Sequence, residues 1–300
     1  MGETTIRLLK VISLIAKGVN SWLIIVIISD KFTHKFYMMR TALASFWLLC
    51  AAAPSLLASP PSSIRRTSPP SEVLIAAAAD LKFAMDSLIA IFSSANPDIH
   101  VKVTYGSSGN FFQQIANGAP FDLFFSADVD YPRQLQQQGK TLSDVRIYGT
   151  GQIVLWSKSL DPSIDKMNTL LNSTVKKIAI ANPAHAPYGQ RADESLHYYG
   201  LAEKIKDKLV MGENIAATAQ YALSGAADVG IIALSLALSP TMQQAGGKYW
   251  LVPANSHQPL QQGFTLLSHA KDNNGAQQFV SFFTSPAATS ILRTFGFGQP

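Results

Sequence analysis

The sequence has a single cysteine, Cys50, among its 300 residues. This cysteine lies in an apolar run near the start of the chain that has the character of a targeting segment. The remainder of the chain can therefore form no disulfide and offers no thiolate nucleophile or thiolate metal ligand, which excludes several classes of enzyme and metal site. Charged residues are also few, at 14%, but hydrophobic residues reach 47%, so the sequence predicts folded domains.

The main part of the chain lacks the positive charge that a nucleic-acid-binding domain carries. Residues 1–71 hold eight Lys/Arg and two acidic residues, a net charge of +6. Residues 72–300 hold 16 basic and 17 acidic residues, a net charge of −1. The positive charge of the whole chain thus belongs to its first part, and we expect no nucleic-acid partner.

Residues 1–58 read as a leader. The stretch 39–59, MRTALASFWLLCAAAPSLLAS, has a basic start, an apolar run and small residues near its end, which is typical of a secretory signal. The apolar stretch 21–29 is short for a membrane span, and it is either an extra membrane segment or the product of an over-long start. A Pro/Ser linker follows over 59–71. We expect export of the protein and removal of the leader.

Strand-like and helix-like segments alternate from residue 72 onward. The apolar run 72–79 suits a buried parallel strand, the helical spacing over 81–95 ends at the Asn-Pro pair 96–97, and residues 100–105 alternate like a strand. The same rhythm returns over 176–234. It predicts an α/β fold in which mostly parallel sheets are flanked by helices.

Two similar apolar strands, 151–157 and 262–268, lie at the edges of the middle third of the chain. If they pair antiparallel, they carry the chain from one lobe to another and back as two hinge strands. We therefore expect a first lobe over 72–151 plus 265–300 and a second lobe over 152–264. A cleft between lobes joined in this way is a natural place for a ligand.

Four strand-to-helix junctions stand out, because open sheets bind their ligands at such junctions. They are AAAADLK (76–82), GSSGN (106–110), NPAHAPYGQR (182–191) and GENIAAT (212–218). Each offers backbone N–H groups at a helix start, which is a site where anions bind. No Lys or Arg lies within the GSSGN, APYG or ENIAA cores, and the P-loop pattern is absent. Neutral dipoles suit an oxyanion that is held and then released, whereas a phosphate-processing enzyme needs a cation.

These motifs, together with NGAPFDLFFSAD (117–128) and SPAATSILRTFGF (285–297), resemble the periplasmic molybdate-binding proteins of ABC importers. The resemblance runs in order over about 72–300. It implies a two-lobe periplasmic-binding-protein fold of type II, which captures molybdate, and usually tungstate, and delivers it to a membrane permease. It further implies a monomer in the periplasm with no catalysis, no cofactor and no metal apart from the bound molybdate.

The resemblance also implies which residues surround the oxyanion. One lobe contributes the end of the first strand and the serine pair, and the other contributes backbone N–H groups of two loops. The implied residues are Ala79, Asp80, Ser107, Ser108, Tyr188 and Ile215. Some members of the family add a Tyr hydroxyl at the position of Ala233, which this chain cannot supply, and Tyr188 or a water is expected in its place.

Asp80 departs from the family pattern, in which Ser or Asn is often found at this position. A carboxylate facing a dianion is repelled by about 4 kcal/mol per unit charge pair at 4 Å and intermediate dielectric. We therefore expect the backbone N–H of Asp80 to face the ligand. Its side chain is expected to cap the helix that begins at residue 81.

Other interpretations stay open. A receptor for sulfate or phosphate would use the same loops, and a phosphate site often uses a carboxylate such as Asp80 to accept the proton of the ligand. A secreted hydrolase would use Ser108 with His185 or His197, although GSSGN lacks the Gly-x-Ser-x-Gly elbow. The serine pair could also be plain helix caps. A sensing module of a regulator is disfavoured by the leader and by the lack of a DNA-binding segment.

Overall fold

The structure, a computed structural model, describes residues 71–299. The predicted leader, Cys50 and all of the predicted linker except Ser71 lie outside the described residues. Within 71–299, no helix combines the length and the apolar character that crossing a membrane requires.

Two five-stranded sheets and their flanking helices make up the described part of the chain. The strands are β1 (Ser71–Ala78), β2 (Ile99–Gly106), β3 (Leu123–Ser126), β4 (Arg146–Gly151), β5 (Ile153–Ser157), β6 (Ile178–Ala181), β7 (Leu209–Gly212), β8 (Val229–Ala233), β9 (Lys248–Leu251) and β10 (Leu260–Leu266). The helices are α1 (Lys82–Ala95), α2 (Ser108–Ala116), α3 (Asp130–Gln137), α4 (Pro162–Asp165), α5 (Pro187–Tyr198), α6 (Ala202–Ile205), α7 (Ile215–Ser224), α8 (Leu234–Ala237), α9 (Pro240–Gln244), α10 (Asn274–Phe283) and α11 (Pro286–Thr294). Five short 3-10 turns complete the set, at Ala79–Leu81, Lys166–Leu171, Lys206–Lys208, Ala254–Ser256 and Ser268–Ala270.

The first sheet has the strand order β2-β1-β3-β10-β4. β1 pairs parallel with β2 and β3, whereas β10 runs antiparallel to β3 and β4. Val73, Ile75 and Ala77 of β1 are fully buried in a core that also holds Phe92 of α1 and Phe279 of α10. The apolar run of β1 therefore forms a buried strand that is covered by helices, as its composition predicts.

The second sheet repeats this plan with the order β7-β6-β8-β5-β9. β6 pairs parallel with β7 and β8, and β5 runs antiparallel to β8 and β9. In each sheet four strands run in one direction and one strand, β10 or β5, runs against them, so the prediction of mostly parallel sheets is confirmed. The single reversed strand of each sheet follows a place where the chain passes between the sheets: β5 follows Gln152, and β10 follows residues 252–259.

The predicted pairing of 151–157 with 262–268 is wrong, because the two segments lie in different sheets. β5 is buried along its whole length and lies between β8 and β9. Its apolar residues fill the centre of the second sheet, so none is left to pair with β10. The chain does pass between the sheets at the first segment, where only Gln152 separates β4 from β5.

The chain returns to the first sheet between β9 and β10, through residues 252–259. The predicted boundary between the second lobe and the last part of the first lobe, after residue 264, falls inside β10. Residues 260–264 therefore belong to the first sheet. We use "first lobe" for residues 71–151 and 260–299 and "second lobe" for residues 152–259. Both lobes belong to one compact unit of the chain.

The βα junctions of both lobes bring helix starts to the ends of their strands. β1 and β2 lead into α1 and α2 in the first lobe, and β6 and β7 lead into α5 and α7 in the second. α7 ends at Gly225, whose φ of 78° is a left-handed conformation that glycine adopts without strain. The helix, glycine turn and strand predicted over 213–234 are therefore confirmed. These junctions position the candidate site.

Candidate functional site

One small cavity of about 10 Å³ lies where the four junctions meet. All six residues that the sequence points to line it, from both lobes. The complete lining is Ala78, Ala79, Asp80, Gly106, Ser107, Ser108, Ala127, Ala186, Pro187, Tyr188 and Ile215. None of these eleven residues is Lys or Arg, so any anion here meets peptide dipoles and hydroxyls rather than a cationic side chain.

Ser108 begins α2 in the first lobe and is almost fully buried. Its Oγ accepts the N–H of Ala127 at 2.9 Å. A serine hydroxyl that already accepts one bond still has its own hydrogen to donate. Ser108 is therefore held in place by the β3–α3 loop with a donor left over for a ligand in the cavity.

Ser107 precedes α2 and makes no side-chain cap to it. Its Oγ lies 2.9 Å from Nδ1 of His185, and the N–H of Gly109 donates to the carbonyl of His185 at 2.9 Å. The interpretation of the serine pair as plain caps is thus wrong, because both hydroxyls bond elsewhere. Ser107 and Gly109 instead tie the first lobe to the loop before α5.

The second lobe presents backbone N–H groups. Asn214 caps α7 by accepting the N–H groups of Ala216 and Ala217, each at 3.0 Å, which leaves the first N–H of the helix, that of Ile215, outside the cap. α5 begins with Pro187, which has no N–H, so Tyr188 supplies its first donor. Among residues 71–299 neither donor has a hydrogen-bond acceptor, and both residues line the cavity.

The Asp80 side chain is not where the sequence suggests. No side chain caps α1, whose N-cap position is Leu81 in a helical conformation rather than the extended one that a cap requires. The 3-10 turn at Ala79–Leu81 instead turns the carboxyl into the interior, where Asp80 is 1% exposed. The predicted cap is wrong for this reason, and the predicted role of the Asp80 N–H stays a prediction.

One oxygen of the Asp80 carboxyl receives two hydrogen bonds. Oδ2 accepts the Tyr188 hydroxyl at 3.0 Å and the Gln262 amide at 2.7 Å. The amide oxygen of Gln262 in turn accepts the Tyr148 hydroxyl at 2.5 Å. Oδ1 is buried and has no partner among the described residues. The expectation that the Tyr188 hydroxyl replaces a missing ligand donor is therefore wrong, since this hydroxyl bonds to Asp80.

Burial sets the acidity of this cluster. Desolvation raises the pKa of Asp80 to about 6, although the hydrogen bonds from Gln262 and Tyr188 and the nearby backbone N–H groups of Asp80 and Leu81 pull it down. Burial also raises the pKa values of Tyr148 and Tyr188 well above the ordinary value, and the Asp80 charge acts in the same direction. Both tyrosines are therefore neutral donors at physiological pH, and Asp80 is the group of the cluster that changes its charge near neutrality.

Three residues of the site escaped the sequence analysis. Gln262 and Tyr148 hold the Asp80 carboxyl, and the Ser235 hydroxyl donates to the backbone carbonyl of Asp80 at 2.8 Å from the second lobe. The sequence alone carried no clear signal for Gln262, because Gln261 and Thr265 are also polar residues of β10 and only the structure shows that Gln262 is fully buried. Ala233, which lacks the hydroxyl seen in some family members, is fully buried at the end of β8.

The arrangement lacks the relay that a serine hydrolase requires. Ser108 donates to and accepts from no histidine among the described residues, and His185 contacts Ser107 instead. The side-chain partners of the Asp80 carboxyl are Tyr188 and Gln262, so Asp80 orients no imidazole. A nucleophile, a base and an orienting acid in series are what defines such a triad.

A family model described as bacterial extracellular solute-binding protein matches residues 73–298. The chain therefore belongs to this family of solute-binding proteins.

Within it, the chain is 35% identical over 227 residues to the molybdate-binding protein ModA of Azotobacter vinelandii, a match that covers 75% of this chain and 89% of the relative. It is 33% identical over 228 residues to the molybdate-binding protein ModA of Rhodobacter capsulatus, covering 75% and 87%. The solved structure of the Azotobacter vinelandii periplasmic molybdate-binding protein superposes with a TM-score of 0.69 at 31% identity, and covers 76% of this chain and 99% of that one. The predicted type II fold, with two α/β lobes, is thereby confirmed.

Proposed function

We propose that this protein captures molybdate, and tungstate, in the cavity between its lobes and hands the anion to the membrane permease of an ABC importer. The observation that carries the proposal is the convergence of three helix starts, those of α2, α5 and α7, on one cavity with no Lys or Arg in its lining. Peptide N–H groups bind a dianion at no cost in side-chain ordering and release it more readily than an ion pair would. The names of the relatives supply the identity of the anion.

In this proposal six residues surround the anion. Ser108 donates its hydroxyl, Tyr188 and Ile215 donate their N–H groups, and Ala79, Asp80 and Ser107 complete the wall. The contacts are to the oxygens of the anion and not to its central atom. Size then separates molybdate and tungstate from sulfate, because the three anions share charge and shape.

The two lobes are the moving parts. Contacts between them close the cavity: Ser107 with His185, Gly109 with the His185 carbonyl, and Ser235 with the Asp80 carbonyl. The anion binds to one lobe of an open form, and closure adds the donors of the other lobe. The chain bends at Gln152 and within residues 252–259, where it passes between the sheets.

The remaining parts of the proposal follow from this role. The protein acts as a monomeric carrier in the periplasm after export, and it neither catalyses a reaction nor carries a cofactor. Its partners are the oxyanion and the permease.

Calorimetry on the full purified chain tests the proposal, with molybdate, tungstate, sulfate and phosphate as titrants at two pH values. We expect tight binding of molybdate and tungstate and no heat with sulfate. Ser108→Ala should weaken molybdate binding by about 10-fold to 100-fold, because a hydrogen bond to a charged group contributes about 1.5–3 kcal/mol. Ser285→Ala is the matched control, since Ser285 caps α11 away from the cavity. Tight binding of sulfate or phosphate in place of molybdate would contradict the proposal.

A further inference from the structure

The Asp80 carboxyl has a polar atom that the fold leaves unsatisfied. Oδ2 takes both available hydrogen bonds, from Tyr188 and Gln262, while Oδ1 is buried without a partner among residues 71–299. About 90% or more of buried polar atoms in native proteins are paired, and the two other unpaired ones among the described residues, in Thr169 and Arg191, do not line the cavity. Asp80 also lines the cavity, so a molecule bound there is the partner within reach.

We propose that Asp80 binds the oxyanion as a neutral carboxylic acid that donates the hydrogen on Oδ1 to an oxygen of the anion, so that each capture event takes up one proton. This inference rests on the proposed function and adds to it the protonation state of the site. The proton comes from the solvent and leaves again when the anion is released, so no bond other than O–H is made or broken.

The surroundings of Asp80 favour this form. The titratable groups that face its carboxyl are the neutral hydroxyls of Tyr188 on α5 and Tyr148 on β4. β10 contributes the uncharged amide of Gln262, and α8 contributes the Ser235 hydroxyl, which bonds to the backbone. Among residues 71–299 no cation compensates a negative Asp80, since the nearby Lys82 directs its ammonium to Asp86 at 3.1 Å.

The hydrogen-bond pattern fixes where the proton sits. Oδ2 already accepts from two donors, so a proton there would displace one of them. Oδ1 accepts from none and can carry the hydrogen at no such cost. A dianion next to an ionised carboxylate would be repelled in a dry cavity, whereas a dianion next to a carboxylic acid receives a hydrogen bond.

This arrangement also links different anions to different numbers of protons. The polar groups in reach of the anion are then all donors: the Asp80 acid, the Ser108 hydroxyl and the N–H groups of Tyr188 and Ile215. An anion without protons, such as molybdate or tungstate, satisfies every one of them. Hydrogenphosphate brings its own proton, which an ionised Asp80 could accept, so its binding would take up no proton from the solvent.

The test is calorimetry of molybdate binding to the full chain between pH 6 and pH 9, repeated in buffers that differ in ionisation enthalpy. The pKa of about 6 in the free, closed cavity sets the start of the effect. We expect uptake of about one proton per molybdate at pH 7.5 and a tenfold loss of affinity for each pH unit above about 6, since one proton is linked to binding. Asp80→Asn keeps the shape and a hydrogen-bond donor, and it should bind with no proton uptake and with an affinity independent of pH.

Two further variants separate this role from a structural one. Tyr188→Phe removes a donor that lowers the pKa of Asp80, so the fall in affinity should begin at a higher pH. Asp128→Asn is the matched control: burial raises the pKa of Asp128 too, but this residue does not line the cavity, and its variant should keep the wild-type profile. If Asp80→Asn does not fold, two measurements still test the inference. They are the proton uptake of the wild type and the shift, in Tyr188→Phe, of the pH at which affinity begins to fall.

The outcomes are distinguishable. Tight molybdate binding without proton uptake, at an affinity that does not change with pH, would overturn the inference and leave the proposed function standing. Absence of molybdate binding at every pH would overturn the proposed function and the inference together. Tight phosphate binding with no proton taken from the buffer would mean that Asp80 accepts a proton from the ligand, the reverse of what we infer.

Discussion

The two walls of the cavity offer different kinds of group. The first lobe presents side chains, namely the Ser108 hydroxyl and the Asp80 carboxyl, each fixed by neighbours of its own. The second lobe presents peptide N–H groups at the starts of α5 and α7. A side chain changes with one substitution, whereas an N–H belongs to the backbone and is the same for all residues except proline. Under the proposed function, the second lobe therefore supplies donors that do not depend on residue type, while the first lobe also supplies side chains that a substitution can alter.

A single substitution can remove one of the peptide N–H donors that the second lobe presents to the cavity. Ile215→Pro deletes the N–H at the first position of α7, where helices tolerate proline, and Asn214 before it is already extended, as a residue preceding proline must be. We expect molybdate affinity to fall by about 100-fold or more, because a charge-assisted bond of up to about 3 kcal/mol is lost and the ring occupies its place. Calorimetry measures this change.

Ile215→Val is the control for this prediction. It keeps the N–H and costs the helix about 1 kcal/mol of packing, so its affinity should stay within a few-fold of the wild type. Equal affinities for the proline and valine variants would show that the Ile215 N–H does not contact the anion. The groups of the first lobe would then contribute most of the affinity.

The Asp80 carboxyl of the first lobe should affect the stability of the protein in the absence of the anion. A carboxyl whose pKa is raised on folding stabilises the folded state only while it is protonated, so this contribution is lost as pH rises from the unfolded value of 3.8 through about 6. The free energy of unfolding of Asp80→Asn should therefore exceed that of the wild type by about 3 kcal/mol at pH 8. This difference should shrink toward pH 4. Urea unfolding at several pH values measures it. A gain that is the same at all pH values would contradict the assignment.

The smallest loss of affinity is expected from a substitution at the contact between the two lobes. Ser107→Ala removes the bond to His185 Nδ1 but leaves the backbone bond from Gly109 to the His185 carbonyl. Since a neutral hydrogen bond contributes about 0.5–1.5 kcal/mol net, we expect a loss of affinity of about 2-fold to 12-fold. Ser281→Ala, on the exposed side of α10, serves as the matched control. A loss as large as that of Ser108→Ala would mean that Ser107 contacts the anion itself.

The sequence predicted much of this molecule because its signals are local. The strand 72–79, the helix that stops before Asn96 and the glycine turn at Gly225 depend on apolar spacing and on conformations available near one residue. The six candidate residues line one cavity because βα junctions gather at strand ends, which follows from fold class once the α/β rhythm is recognised.

What the sequence could not predict depends on contacts between distant residues. Asp80 bonds to Gln262, which lies 182 positions along the chain, and to Tyr188, 108 positions along. A cap at the start of α1 was the best local use of an aspartate, and only the tertiary structure offers the buried alternative. The predicted pairing of β5 was wrong for the same reason. An apolar strand fits the interior of either sheet, and its composition does not indicate which sheet it joins.

The short connection at Gln152 has a mechanical consequence. A single residue between β4 and β5 spans no more than about 7 Å between the Cα atoms of its neighbours, so the lobes can rotate there but cannot slide apart. Gly151, at that point, packs so closely on the Tyr188 hydroxyl and the Gln262 amide that a Cβ would lie 2.4 and 2.5 Å from them. The partners of Asp80 therefore lie beside the axis of rotation, where displacement for a given opening angle is smallest. If the lobes rotate about this point, contacts between lobes that lie farther from Gly151 separate before the bond from Tyr188 to Asp80, whereas the bond from Gln262 to Asp80 lies within the first lobe and is kept.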